Sequence, residues 1–368
     1  MMTTATWLQR MLDTSWLSSQ LGGSVRANRV RVKPETSISV AVEDGQGLCV
    51  GWARLLWPDG HRKATKAKRN AAEAGLEISQ RLVGDMLLQS GLVSADPKLA
   101  RPLQNATEAG IIGAWQLEQV LRYNPMRRLV LREGERIVRI AAADRPLSLR
   151  LDHLISAEIP IPQRLDDGSL PGISVQAFTG NGDLAGTPDL EATATVGRII
   201  AHLHATESIP RELRTDLLRR APDPVAQART HVRLLEVLSP GLARRARAIA
   251  SKLSDKPAVA PVLSHGDLSP DQVLVGDKQV WLTDFDRACL ASRATDLGSF
   301  LAVVDDDAGE VFLDGYRSGG GQLPSAKALR DAVTGSLMLR AVDPLRLASP
   351  AWELEVAANL DRIAELLT

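Results

Sequence analysis

Cysteine is nearly absent: Cys49 and Cys289 are the only two in 368 residues. They are far apart and lack metal-ligand spacing, so neither a disulfide framework nor a zinc site is expected, and a reducing cytosol is the expected compartment. Net charge is absent too, with 44 Lys and Arg against 44 Asp and Glu. Nothing global therefore points to nucleic acid or to a membrane surface, and a balanced chain suits a small-molecule enzyme. No run approaches the ~18 apolar residues of a membrane span. The opening stretch from Met1 to Gly23 has only single basic residues and no long apolar core, which predicts a short amphipathic helix rather than a signal peptide. Aromatic side chains are few, four Phe and two Tyr beside seven Trp, so the core must be built on Ala, Leu and Val. Lysine is missing altogether between Lys98 and Lys252. The length predicts two or three subdomains around a large core.

What is present is concentrated between Val262 and Asp296. His265, Gly266 and Asp267 follow a short apolar run; Gln272 comes five residues after the aspartate, and Asp284 after a second apolar run. Val273 to Val275 and Val280 to Leu282 read as two short strands around a Gly276-Asp277 turn, a hairpin that returns Asp284 towards Gln272. An H-x-D with an amide side chain five residues later, followed by an acid on the next hairpin, is the layout of a kinase catalytic loop and its metal site. Phosphoryl transfer needs little covalent help from protein. It needs a carboxylate to take the hydroxyl proton, here Asp267, and oxygen ligands for magnesium, here Gln272 and Asp284. Asp284-Phe285-Asp286 stands where D-F-G is usual, and Asp286 is either an outer acid or a turn cap.

The stretch resembles the aminoglycoside phosphotransferases and their relatives, the choline, fructosamine and malto-sugar kinases. The resemblance rests on H-G-D at 265–267, on Thr283-Asp284-Phe285 and on the pair Asp296-Leu297. It departs at Gln272, where the family carries Asn; glutamine offers the same amide oxygen one methylene further out. The resemblance implies an α+β, protein-kinase-like fold of two lobes, with a β-rich N-lobe preceded by an N-terminal cap and a mostly helical C-lobe. The implied divisions are 1–100 for the cap, 101–178 for the N-lobe and 179–368 for the C-lobe.

Earlier in the chain, Arg29 to Leu56 alternates apolar and polar residues around Asp44-Gly45, as a hairpin does. The basic run from Arg62 to Arg69 reads as a solvated face and is given no chemistry. A second hairpin, from Val120 to Ala142, ends in Ile137-Val138-Arg139-Ile140. The kinase-like strand in this place carries a lysine for the nucleotide's phosphates; here Arg139 is the candidate clamp, with Asp152 in the helix predicted over 144–155 as its partner. Gln176, Ala177 and Phe178 resemble the hinge whose backbone meets an adenine edge. Leu190 to Ala205 is an amphipathic helix by its period. His202 and His204, at i and i+2, do not share a face and are expected to be packing or solvent residues. Residues 213–252 and the chain beyond 305 are predicted helical.

The expected function is phosphotransfer from ATP, with Mg²⁺, to a hydroxyl of a small molecule: a sugar, an aminosugar or aminoglycoside, or an amino alcohol. No nucleic acid or membrane partner is expected. The alternative is a catalytically silent nucleotide-binding or regulatory protein, suggested by the missing lysine and by Gln272. A Ser/Thr protein kinase is disfavoured, since neither a G-x-G-x-x-G loop nor an A-P-E segment is present.

Overall fold

The computed structural model describes residues 2–144, 146–253 and 260–368. Two helices open the chain, α1 (Thr4–Leu12) and α2 (Thr14–Leu21). The single helix expected here is divided at Asp13, whose side chain accepts from the Trp16 amide at 2.8 Å and caps the second helix. Next come β1 (Val25–Lys33), β2 (Ser37–Asp44), β3 (Cys49–Leu56), α3 (His61–Glu73), β4 (Ser79–Val83), β5 (Met86–Leu92) and α4 (Ala100–Glu108). The strands form one antiparallel sheet in the order β1-β2-β3-β5-β4. The expected hairpin is thus three strands, because Pro34 and the left-handed Glu35 (φ 53°) turn the chain once more. The basic run forms α3.

A second antiparallel sheet follows, from β6 (Val120–Asn124), β7 (Arg128–Glu133) and β8 (Arg136–Ala141), then α5 (Pro146–Ile155) and β9 (Ile173–Ala177). Its order is β6-β7-β8-β9. The second expected hairpin is also three strands, broken at the Pro125-Met126 turn, where Met126 has φ 62°. Leu129, Leu131, Val138 and Ile140 face one side and are fully buried. By the two-residue period, Arg139 faces the other side, and the register aligns Arg122, Val130 and Arg139 in one row across β6, β7 and β8.

The rest is mostly helical. It comprises β10 (Gly182–Asp183), α6 (Leu190–His204), α7 (Arg211–Leu218), α8 (Pro224–Leu238), α9 (Pro240–Ala250), β11 (Val262–Ser264), β12 (Val273–Gly276), β13 (Gln279–Leu282), β14 (Cys289–Ala291), α10 (Ala294–Leu301), α11 (Asp306–Ser318), α12 (Ala326–Arg340), α13 (Asp343–Arg346) and α14 (Trp352–Leu366). Three apolar clusters tie the layers together. Ile38, Val40 and Val42 pack with α1 and with α8, α9, α12 and α14, whereas Ala41 and Trp52, on the opposite face of the same sheet, pack with the core of the second sheet. A third cluster unites α6, α10 and α11 with β11, β12 and β13. The first sheet therefore lies between the second sheet and the helices, and β1 borders the cleft that opens among them.

Candidate active site

The loop after β11 is fixed from beneath by one buried acid. Asp296, in the first turn of α10, is fully buried and accepts from the His265 and Gly266 amides, each at 2.8 Å. It also meets His204 Nε2 at 3.1 Å, and His204 Nδ1 meets the Tyr316 hydroxyl at 2.9 Å. Burial alone would raise the Asp296 carboxyl, but His204, His265 and the Gly266 amide outweigh it and hold it below the usual carboxylate range. Of the two histidines expected to be packing or solvent residues, His204 is buried in the core and His202 is exposed. Gly266 has φ 83°, and a Cβ there would stand 2.2 Å from the Arg287 carbonyl oxygen, so only glycine lets the loop turn against the short helical turn at residues 285–287. The His265 ring packs on Phe285 with centroids 4.6 Å apart, and its Nε2 meets the Thr283 carbonyl at 2.8 Å.

On this support Asp267 faces the cleft. Its Oδ1 accepts from Arg340 Nη2 at 2.9 Å, and its Oδ2 lies 3.4 Å from Arg287 Nε. Gln272 is 9 % exposed; its Nε2 donates to Asp271 Oδ2 at 3.0 Å, which leaves the amide oxygen as the end a cation would meet. The Thr283 amide donates to the Gln272 carbonyl at 3.0 Å, so β13 delivers Asp284 beside the loop, as the hairpin reading requires. Asp284 has φ 58°, a left-handed residue ahead of the turn at 285–287.

The second sheet supplies the opposite charge. Arg128 reaches Asp286 at 3.1 Å and Asp284 at 3.4 Å; Arg139 pairs with Asp286 and, at 3.5 Å, with Asp284. Asp286 is the tightly held acid of the two and Asp284 the loosely held one. Burial would lower the Arg139 guanidinium, but its two aspartates raise it above the ordinary value. Burial is the largest effect on Arg128 and, with the charges of Arg139 and Arg122 beside it, lowers the guanidinium despite the attraction of Asp284 and Asp286. The expected partner of Arg139 is corrected by this geometry: Asp152 is bound at 2.9 Å to Arg164, and the acids on Arg139 come from the loop 145 residues and more downstream.

The cleft that contains Asp267, Gln272, Asp284, Asp286 and Arg128 has a volume of about 1850 Å³. Arg139 borders a smaller cavity of about 280 Å³ that meets the first at Asp144 and Asp286. The hinge residues Gln176, Ala177 and Phe178 line neither cavity. The Ala177 amide donates to Gln163 and the Phe178 amide to Glu135, each at 2.8 Å, so these two N–H groups are engaged within the protein. The Arg132 guanidinium lies 3.6 Å over the Phe178 ring. Reading the sequence did not single out Arg128 or Arg340. Arg128 follows from the strand register that puts it on the face of Arg139; Arg340 lies 73 residues beyond Asp267, with no local signal.

Magnesium is bound by one or two protein oxygens together with phosphate oxygens rather than by an all-protein cage. The donor set fits that mode: one loosely held carboxylate, Asp284, and one amide oxygen, Gln272. Among the described residues no cluster of three or more His, Cys, Asp or Glu could hold a metal by itself.

The family model described as the phosphotransferase enzyme family matches residues 116–332, more than half of the chain. Among solved structures, choline kinase LicA from Streptococcus pneumoniae superposes with a TM-score of 0.52 at 11% identity, covering 73% of this chain and 98% of that one. A choline/ethanolamine kinase family protein from Mesorhizobium loti gives 0.50 at 16% identity, covering 72% and 95%. The streptomycin-ATP-APH(2")-IIa ternary complex gives 0.50 at 14% identity, covering 72% and 96%. No curated protein matches the sequence. These likenesses identify the fold as the expected protein-kinase-like α+β architecture. Among the described residues no helix is long and apolar enough to cross a membrane.

Proposed function

The chain belongs to the phosphotransferase enzyme family, and from that premise we propose that it transfers the γ-phosphoryl group of ATP to a hydroxyl of a small molecule. The observation that carries the reading is the convergence on one cleft of Asp267, Gln272 and Asp284 with Arg128 of the second sheet, and Arg139 reaching Asp284 from the adjoining cavity. In the proposed reaction the acceptor oxygen bonds to the γ-phosphorus as the bond to the β,γ-bridging oxygen breaks. The electron pair of that bond leaves on ADP, and the hydroxyl proton passes to the Asp267 carboxylate. Arg340 sets the orientation of that carboxylate through the 2.9 Å contact. Asp284 and Gln272 would hold Mg²⁺, which when bound neutralises charge on the β- and γ-phosphates. Arg139 and Arg128 are the phosphate clamp; a planar guanidinium can hold two phosphate oxygens at once, so the absence of a lysine leaves the role filled. Backbone groups near Gln176, Ala177 and Phe178 remain the proposed adenine contact, with their neighbours' carbonyls and amides sharing the task. We take residues 1–100 as a cap, 101–178 as the N-lobe and 179–368 as the C-lobe.

Of the expected acceptors, a sugar suits this arginine-bordered cleft better than a cationic aminoglycoside or amino alcohol. The test of the reaction is Asp267→Asn. Turnover of ATP into phosphorylated product is expected to fall about 10²-fold or more with Mg²⁺·ATP binding retained, the range of a lost general base. Near-normal turnover would remove Asp267 from the chemistry. Product formation by the unaltered protein separates a working enzyme from a silent nucleotide binder.

A further inference from the structure

The cleft is bordered by arginines and aspartates in nearly equal number, so its character is set by which charges are already paired. The acids are mostly engaged. Asp284 and Asp286 meet Arg128 and Arg139, Asp267 meets Arg340 and Arg287, and Asp343 meets Arg346 at 2.7 Å. Asp189 and Asp305 cap helices α6 and α11. Several arginines are not engaged. Among the described residues, Arg29, Arg31, Arg122 and Arg233 all border the cleft, and none makes a side-chain hydrogen bond or an ion pair. Arg122 even buries its Nε without a partner.

Arg29 is the most informative of these. It lies at a bulge in β1, where the pairing with β2 slips between Asn28 and Val30, and its φ is 59°. A non-glycine residue seldom takes that conformation, and a bulge re-aims the side chain it carries. Arg29 is half-buried, and burial together with the charge of Arg128 lowers its guanidinium from the ordinary value, while Asp343 and Asp271 act the other way. It therefore stands between the clamp arginine of the second sheet and the elements on the acceptor side, the loop at 271 and helix α13, against which β1 packs. Holding an unpaired cation there, half out of water and near another cation, is unfavourable until an anion arrives.

We propose that the acceptor carries an oxyanion, a carboxylate or a phosphate, beside the hydroxyl that is phosphorylated, and that strand β1 supplies Arg29 and Arg31 to hold it. The nucleotide's own phosphates are claimed from the other side by Arg128 and Arg139. A cationic acceptor would be repelled by Arg29 and Arg31, whereas an oxyanion can be gripped bidentately.

This inference rests on the phosphotransferase reading, and the experiment separates the two. The intact protein is saturated with Mg²⁺·AMP-PNP, and four probes of one carbon skeleton are titrated by calorimetry: gluconate, glucose 6-phosphate, glucose and glucosamine. At least one of the two anions is expected to bind about tenfold more tightly than glucose or glucosamine, the scale of charged hydrogen bonds gained. The gluconate and glucose 6-phosphate arms distinguish carboxylate from phosphate. The variant Arg29→Asn with Arg31→Gln is expected to weaken the anion about tenfold and Mg²⁺·AMP-PNP less than about twofold. Asparagine tolerates the left-handed backbone at 29, and Arg31 is exposed, so the variant keeps the fold. Glucose or glucosamine binding as tightly as both anions, or no binding of either anion, would overturn the proposal. So would a double variant that weakens the nucleotide as much as the anion, because the arginines would then serve ATP. Failure of Mg²⁺·AMP-PNP itself to bind the folded protein would overturn the phosphotransferase reading and this proposal with it.

Discussion

Gln272 is the residue at which composition and chemistry are most tightly tied, because the proposed metal site asks of it, one methylene longer, what an asparagine does in the kinases that the loop resembles. Magnesium requires near-octahedral oxygens at about 2.1 Å and tolerates displacement poorly. Gln272→Ala is accordingly expected to raise the Mg²⁺ needed for half-maximal turnover about tenfold, well beyond any change in the apparent ATP constant. Gln272→Asn should retain substantial activity and Asp284→Ala should be worst, since it removes a charge. Magnesium titrations at fixed ATP read this directly; an unchanged requirement in Gln272→Ala would leave Asp284 as the sole protein ligand. A second residue carries a pH signature. Burial, and then Arg346, pushes the His231 imidazole down to about 3. The folded state thus binds fewer protons than the unfolded state between pH 6.5 and about 3, and stability falls as pH falls through that window, by at most about 1.4 kcal/mol per unit. Urea midpoints of the unaltered protein and of His231→Gln are expected to diverge in slope below pH 6.5 and to run parallel above it. At this scale the sequence singled out Asp267, Gln272 and Asp284, which line one cleft, because all three sit on one loop and one hairpin with fixed spacing. It did not disclose Arg29, Arg128 or Arg340, nor that Arg139 turns to Asp286 rather than Asp152. Those pairings are made between segments more than seventy residues apart, where no local spacing carries them.

Elements were legible where period and punctuation agree. Helix α6 and the β12–β13 hairpin follow from an apolar stripe and a Gly276-Asp277 turn. The third strand in each meander was hidden because the turns use Pro34-Glu35 and Pro125-Met126, which carry no glycine at the left-handed position. Strand β4 gives little signal, since Ser79–Val83 lies at the sheet edge and is largely exposed. What positions the loop at 265–272 is the packing of α6 on α11. A Cβ on Gly197 would stand 2.2 Å from the Phe312 carbonyl oxygen, and one on Gly315 would stand 2.1 Å from that of Ala194, so the two helix backbones touch. Their contact carries the His204–Tyr316 bond and through it Asp296 and the loop. Gly197→Ala is expected to cost about 1–3 kcal/mol, the range for overpacking a tight contact. Gly23→Ala, with open space around it, should stay within about 0.5 kcal/mol. Urea unfolding of the two variants checks both, and equal midpoints would show that α6 and α11 move apart without strain.

For the whole molecule, the first sheet is buried on both faces, and this decides how the N-terminal segment behaves. Its alternation, apolar at 38, 40 and 42, reads as one buried face of a hairpin; that the other face is covered too does not show in the pattern, because the covers are helices more than 180 residues away on one side and the second sheet on the other. Trp7, Leu8 and Met11 of α1 sit in the same cluster as Val232, Leu235 and Leu360, while Trp52 on the reverse face packs with Leu129 and Ile140. A segment holding both neighbours cannot unfold without exposing apolar surface on each. Trp7→Ala is therefore expected to destabilise by about 3–5 kcal/mol, as truncation of a buried aromatic does. The loss should appear in one cooperative transition shared by far-ultraviolet circular dichroism and tryptophan fluorescence. If the cap were instead an appendage, the two signals would separate, the early one following the cap alone and Mg²⁺·ATP affinity surviving between them. Since β1 also lends Arg29 to the cleft, coincident loss of the fold signal and of nucleotide binding in Trp7→Ala would mean that the first hundred residues are part of the working site rather than a cover over it.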